Sequence, residues 1–212
     1  VENILKSKQL GGQYLDHYQG YGQLLRRIQD EQHQSCVVIT SREKPTGLSL
    51  REGKKSVVRS HIVKSLSSNA ALEILGDRGL IASESTLKKL IIRCEGNPLI
   101  LKILSSSIET LFQGNVQIFL ECNHILYGNI WQLIDQQFQR LSNLEQQVIN
   151  YLVLEDRSVS KLLNSHQLQI SPCQIMEALE SLQGRSLIEI TETKVHIQSM
   201  LLEYLKQKLF RN

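Results

Sequence analysis

The spacing of apolar residues changes twice along this chain, near Leu66 and again near Ser142. Before Leu66 the pattern is mixed. Gly11-Gly12 and Gly20 bracket a glycine- and tyrosine-containing stretch that reads as a loop. Tyr21 to Gln32 then carries Leu24, Leu25 and Ile28 at helical spacing with charges opposite. Ser35 to Thr40 is a short apolar run between polar residues, which predicts a buried strand of a parallel sheet. A second strand is expected over Ser56 to Val63, after a loop marked by Pro45, Gly47 and Gly53. Helix, buried strand, loop and strand together read as the closing part of an α/β sheet.

From Leu66 the period is helical. Ser67 to Leu75 predicts a short helix ended by Gly76. Leu87, Leu90, Ile91 and Cys94 fall on one stripe of the next. Gly96 sits where a left-handed C-terminal cap belongs, because glycine has no Cβ to clash there. Asn97 can cap the following helix, and Pro98 occupies its first turn, where a missing N–H costs nothing. That helix should bury Ile100, Leu101, Leu104, Ile108 and Leu111. Helices are also expected over Val116 to Cys122 and Ile130 to Leu141, completing a small bundle.

Ser142-Asn143-Leu144-Glu145 and Ser171-Pro172-Cys173-Gln174 are two capping boxes. The first opens a helix with Leu144, Val148, Tyr151 and Leu152 on one side, and the second a helix with Ile175, Ala178, Leu179 and Leu182. A short helix between them covers Ser158 to Asn164. Leu187 to Ile190 and Val195 to Ile197 flank a polar turn and predict a hairpin, followed by a closing helix over Met200 to Leu209. Three helices and a hairpin read as a winged helix. The expected fold is therefore mixed α/β and mainly α. Residues 1–65 form the end of a parallel-sheet nucleotide-binding domain, 66–140 a helical bundle and 141–212 the winged helix.

Composition narrows the function classes. The chain has 212 residues, 41% of them apolar and 21% charged, enough for a substantial core. Its net charge of +3 is spread over the doublets Arg26-Arg27, Lys54-Lys55 and Lys88-Lys89, which suit solvated faces better than a phosphate track. Cys36, Cys94, Cys122 and Cys173 form no CxxC pair, and Cys36 and Cys94 lie in apolar runs as small hydrophobes, which fits a reducing cytoplasm. The histidines lack metal-ligand spacing, and no apolar run is long enough to span a membrane.

Candidate chemistry is sparse. Arg42 follows an expected buried strand, and ligands of open α/β sheets collect at the carboxyl ends of strands, where a guanidinium can grip a phosphate. A surface arginine at a strand end is the simpler reading when that residue is taken alone. The Pro98 ring could pack on a base, although capped helix starts need no ligand. No nucleophilic triad or paired-carboxylate site can be argued. Asp16, Asp30 and Asp135 read as solvated, Trp131 as a core residue of the bundle, and Arg140 and Arg157 as surface residues able to form ion pairs.

In combination, Gly20-Tyr21-Gly22-Gln23-Leu24-Leu25, Ser35-Cys36, Thr40-Ser41-Arg42-Glu43-Lys44-Pro45, Gly96-Asn97-Pro98-Leu99 and Asp135-Gln136-Gln137-Phe138 resemble the NB-ARC family of signal-transduction ATPases. The pattern is similar to the cyanobacterial group in which this module precedes WD-type repeats. The resemblance runs end to end. It implies that Arg42 is the sensor arginine for the terminal phosphate of ATP. It implies that Gly96, Pro98 and Leu99 belong to the GLPL motif, whose proline packs on adenine. It also places Ile197-Gln198-Ser199 at the Met-His-Asp motif, whose histidine contacts the ADP phosphate. Gln198 stands for that histidine and Ser199 for the aspartate; an amide donates a hydrogen bond without carrying charge.

The family's P-loop and its magnesium-handling acidic strand would lie before Val1, so the chain reads as the C-terminal part of a longer switch. In that parent, ADP or ATP with magnesium is the cofactor, hydrolysis is slow, and nucleotide exchange frees the winged helix to rotate and the protein to form homo-oligomers. Without the amides and lysine of a P-loop, the chain itself is expected to bind nucleotide weakly and not to catalyse. Its partners would be the rest of the same polypeptide, including WD-type repeats; neither membrane nor nucleic acid is expected. The alternatives are a DNA-binding winged-helix regulator and a protein-interaction scaffold that has lost the nucleotide.

Overall fold

A computed structural model describes residues 1–48, 52–53, 56–76, 78–122, 124–155 and 157–210, with Phe210 described by its backbone alone. The Lys54-Lys55 doublet lies outside the described residues. The fold is mainly helical with a small two-stranded sheet. Among the described residues no helix is long and apolar enough to cross a membrane. The chain divides into two compact units, residues 1–61 with 136–212, and residues 62–135.

The unit of residues 62–135 is built from α2 (Ser68–Gly76), α3 (Glu84–Arg93), α4 (Pro98–Leu111), α5 (Val116–Glu121) and the start of α6 (Gly128–Gln139). Ser83 caps α3 and Asn115 caps α5, each side chain accepting a backbone N–H of the first turn. α2 packs on α3 and α4, and α3 on α5. The expected stripes supply the core: Leu75, Leu90, Ile91, Cys94, Leu101, Leu104 and Ile108 are buried. Leu111 is the exception, 69% exposed. It is the last residue of α4, where the chain turns away through left-handed Gln113 and Gly114. Trp131 is half-buried on α6.

In the other unit, α7 (Asn143–Leu154), α8 (Val159–Leu163), α9 (Pro172–Gly184), β1 (Ile188–Thr191), β2 (Lys194–Ile197) and α10 (Ser199–Phe210) follow in the expected order. Both capping boxes are formed, at Ser142 with Glu145 and at Ser171 with Gln174. α9 packs on α7, α8 and β1, and α10 packs on α7. The strands pair antiparallel with Ile188 opposite Ile197 and Thr191 opposite Lys194. Ser158 adds an antiparallel bridge to Lys194, flanked by bonds from Val159 N–H to Thr193 O (2.9 Å) and from Val195 N–H to Arg157 O (2.8 Å).

The N-terminal segment of this unit differs from its expectation. α1 (Gln19–Asp30) forms, but none of its residues is fully buried. Ser35 to Thr40 is extended without joining a ladder, and Val38 is 83% exposed. Ser56 to Val63 makes one isolated parallel bridge, Glu52 with Val58, and Val57 and Val63 are exposed. Neither run is a buried strand of a parallel sheet, and Cys36 is exposed with the first of them. An apolar run becomes such a strand only where neighbouring strands take up its amides and helices cover both faces. Among the described residues these runs have neither.

Gly12 shows how this segment is held. Its φ is +84°, and a Cβ there would lie 2.4 Å from Lys44 O, so only glycine fits. Thr46 N–H donates to Gly12 O (2.8 Å), and Lys44 N–H donates to Gly184 O at the end of α9 (2.9 Å).

Candidate functional site

Arg42 and Gln198 belong to the first unit, and Gly96, Pro98 and Leu99 to the second. The corner at Gly96 is built by two opposing requirements: ending α3 at Arg93 and starting α4 at Pro98, with four residues between them. Glu95 and Gly96 both adopt positive φ, and Gly96 N–H returns to Ile91 O (2.9 Å). A Cβ on Gly96 would stand 2.9 Å from Leu66 O, and Leu66 N–H donates to Gly96 O (3.1 Å). The close backbone approach that glycine permits is thus taken up by Leu66.

Asn97 Oδ1 accepts from Leu99 N–H (3.0 Å) and Ile100 N–H (3.2 Å), the cap expected from the sequence. Pro98 is the first residue of α4 and is exposed, as is Leu99 at 52%. Ile100 and Leu101 behind them are buried. The result is an apolar ledge on a helix start that is fixed from both sides.

Arg42 follows the extended run and points outward, its side chain 65% exposed. Its backbone N–H and its Nε both donate to Glu2 Oε1, the latter at 3.3 Å. Partial burial pushes the Glu2 carboxyl up, but the hydrogen bonds from Arg42 outweigh this and hold it below the usual carboxylate range. A guanidinium oriented by one carboxylate, with most of its surface free, can still donate to a phosphate oxygen.

Gln198 lies between β2 and α10. Its Nε2 donates to Ser186 O and its backbone N–H to Leu187 O (3.1 Å), so the amide ties down the left-handed turn that leaves α9.

Beside Arg42, on the opposite face of the backbone, the structure buries a charge cluster that sequence reasoning did not anticipate. Glu43 is 3% exposed. Its Oε1 accepts from Gly12 N–H (2.7 Å), and its Oε2 from Arg185 Nη1 (2.7 Å) and Arg140 Nη2 (3.2 Å). Arg185 Nε donates to Glu145 Oε1 (2.8 Å) and Nη2 to Gln9 O (2.8 Å). Glu145, fully buried, also accepts from Ser181 Oγ (2.6 Å) at Oε1 and from Ser142 N–H (2.7 Å) and Oγ (2.8 Å) at Oε2. One signal was available: Glu145 is the acidic member of a capping box, and its second oxygen needed a donor. Arg140, read as a surface residue able to pair, does pair, with Glu43.

Among the described residues no group of three or more His, Cys, Asp and Glu side chains could hold a metal ion. All four cysteines are free thiols; burial pushes that of Cys94 up to about 12, which leaves it unreactive.

No protein-family model matches the chain. The chain is similar to an uncharacterized WD repeat-containing protein of Nostoc sp. (strain PCC 7120), with 38% identity over 215 residues. That alignment covers 99% of the chain and 17% of the relative, so the chain spans about one sixth of the length of the curated protein it matches.

Proposed function

We propose that this chain is the C-terminal part of an NB-ARC-type, nucleotide-dependent signalling switch. The observation that carries the reading is the ledge at Pro98 and Leu99. It is exposed, apolar and rigid, fixed by the Asn97 cap on one side and the Gly96–Leu66 backbone contacts on the other. Such a surface suits the flat face of an adenine. Arg42 offers the matching chemistry for a phosphate. A nucleotide, when bound, would supply the terminal phosphate by which the two states of the switch differ.

The chain's own residues then divide the work. By the family resemblance Pro98 and Leu99 would receive the base, and Arg42 would turn from Glu2 to a phosphate. Gln198 holds the α9 exit turn, and its amide could turn to a phosphate only by releasing Ser186. The described residues present no acidic cluster for magnesium. We place the magnesium ligands and a P-loop in the remainder of a longer polypeptide, together with WD-type repeats. The WD repeat-containing relative, of which this chain spans 17%, supports the WD-type repeats of that reading. In this reading residues 141–212 are a winged helix used for intramolecular packing, 66–140 the bundle before it, and nucleotide exchange drives homo-oligomer assembly.

A DNA-binding winged helix is less well supported. α9 exposes Gln174, Glu177, Glu180 and Gln183, an acidic and amide face unsuited to a phosphate backbone. Arg185, the nearby cation, is committed to Glu43 and Glu145.

Calorimetry with ADP and with a non-hydrolysable ATP analogue on the full-length polypeptide and its Arg42→Ala and Pro98→Ala variants tests the reading. Pro98→Ala should weaken both nucleotides and Arg42→Ala the ATP analogue, whereas unchanged affinities in both variants would refute it. Size-exclusion of the same protein with ADP and with ATP should show different assembly states; identical profiles would instead favour a scaffold.

A further inference from the structure

We infer that residues 1–47 form a releasable strap, latched to the α7–α10 helices by the Glu43–Arg185 contact. The inference does not depend on nucleotide binding. It follows from how charge is partitioned in the buried cluster.

The cluster holds two carboxylates, Glu43 and Glu145, and two guanidiniums, Arg140 and Arg185. Removing either partner from a buried pair ordinarily leaves an uncompensated charge, which opposes opening. Here the contacts sort so that one neutral pair stays in the core: Arg185 keeps Glu145 through Nε, and Glu145 keeps Ser142 and Ser181, with no help from Glu43. Release carries Glu43 into water, and Arg140, which it leaves behind, is 29% exposed and is hydrated in its place. Breaking the Nη1–Oε2 contact between Arg185 and Glu43 therefore strands no isolated charge in the core.

The other bonds along the strap are few and fall at two places. Gly11 N–H donates to Ser181 Oγ (2.6 Å), Lys44 N–H to Gly184 O (2.9 Å), and Arg185 Nη2 to Gln9 O (2.8 Å), at the C-terminal end of α9. Lys8 N–H donates to Arg140 O (2.8 Å) and Arg140 Nη2 to Glu2 O (3.3 Å), between α6 and α7. Apolar anchorage is slight: Leu5 and Pro45 are the buried apolar side chains of this segment. α7, α9 and the hairpin, by contrast, share a core of Val148, Ile149, Leu152, Ile175, Leu179, Leu182 and Val195. A segment held mainly by a few polar contacts opens at lower free energy than the core it covers.

Amide hydrogen exchange on the 212-residue chain tests this. In the unaltered protein the amides of Gly12, Lys44 and Thr46 should exchange through a local opening, at lower denaturant than those of α7 and α9. Glu43→Gln should accelerate the three strap amides by roughly tenfold or more and leave α7, α9 and the hairpin within about twofold. Arg185→Met should accelerate both sets, since it leaves fully buried Glu145 without a cation and takes from Glu43 one of its two. Exchange of the strap only with global unfolding, or equal acceleration of strap and helices in Glu43→Gln, would overturn the latch. Loss of helical circular dichroism in Glu43→Gln would overturn it as well.

Discussion

Arg185 Nη1 stands 2.7 Å from Glu43 Oε2, joining residues 142 positions apart in the chain, while Nε of the same guanidinium stands 2.8 Å from Glu145 Oε1. One side chain thereby fastens the segment after the extended run to the caps of α7 and the end of α9. Arg185→Met should destabilise the protein by about 3–5 kcal/mol, because two buried carboxylates lose their shared cation. Urea unfolding of the 212-residue chain measures it, and a change below about 1 kcal/mol, the scale of an exposed pair, would mean the cluster is solvated.

The Gly96 corner makes a separate prediction. Its φ of +61° and the 2.9 Å approach to Leu66 O leave no room for a Cβ. Gly96→Ala should cost about 1–3 kcal/mol through strain alone. Trp131, on α6 in the same unit, reports the transition by fluorescence. An unshifted midpoint would show that the corner can relax.

The two capping boxes should differ in weight. Ser171→Ala removes an exposed cap and should cost about 1 kcal/mol. Ser142 is buried and also donates its hydroxyl to fully buried Glu145. Its loss takes from that carboxylate oxygen one of its two donors, so Ser142→Ala should cost roughly 1–3 kcal/mol beyond the cap itself. Equal losses in the two variants would argue that water replaces the hydroxyl.

Val38 and Val63 test the extended runs. Each is more than four-fifths exposed, at 83% and 87%. Val38→Lys and Val63→Lys should change the stability of this chain by no more than about 0.5 kcal/mol. A large loss in thermal melts would place these residues in a sheet after all.

Thiol chemistry separates the cysteines. Cys36, Cys122 and Cys173 are exposed and should react readily with a disulfide reagent, whereas Cys94 should react only on unfolding. Burial favours its neutral form and raises its pKa to about 12. Folding therefore carries no penalty from this group below the usual thiol value of about 8.5. The penalty grows as pH rises from there towards about 12. Cys94→Ala should flatten that alkaline part of the stability profile; an unchanged profile would assign the alkaline loss to other groups.

What the sequence by itself determined here is local. The caps at Asn97, Ser142 and Ser171, the apolar stripes of α3, α7 and α9, and the hairpin around Glu192 and Thr193 each rest on residues within a few positions of one another. Backbone hydrogen-bonding needs and side-chain period decide such features without reference to distant chain. Tertiary structure decided the rest. Ser35 to Thr40 has the composition of a buried strand, yet a strand exists only through its neighbours, and this run has none among the described residues. Leu111 continues the apolar stripe of α4 and is exposed, because covering it depends on what packs over the last turn. Nothing within a few positions of Glu43 or Arg185 marks either for burial, since charge is normally kept in water. Only the fold, by bringing Gly12, Arg140, Glu145 and Arg185 around them, supplies the partners that make their burial possible.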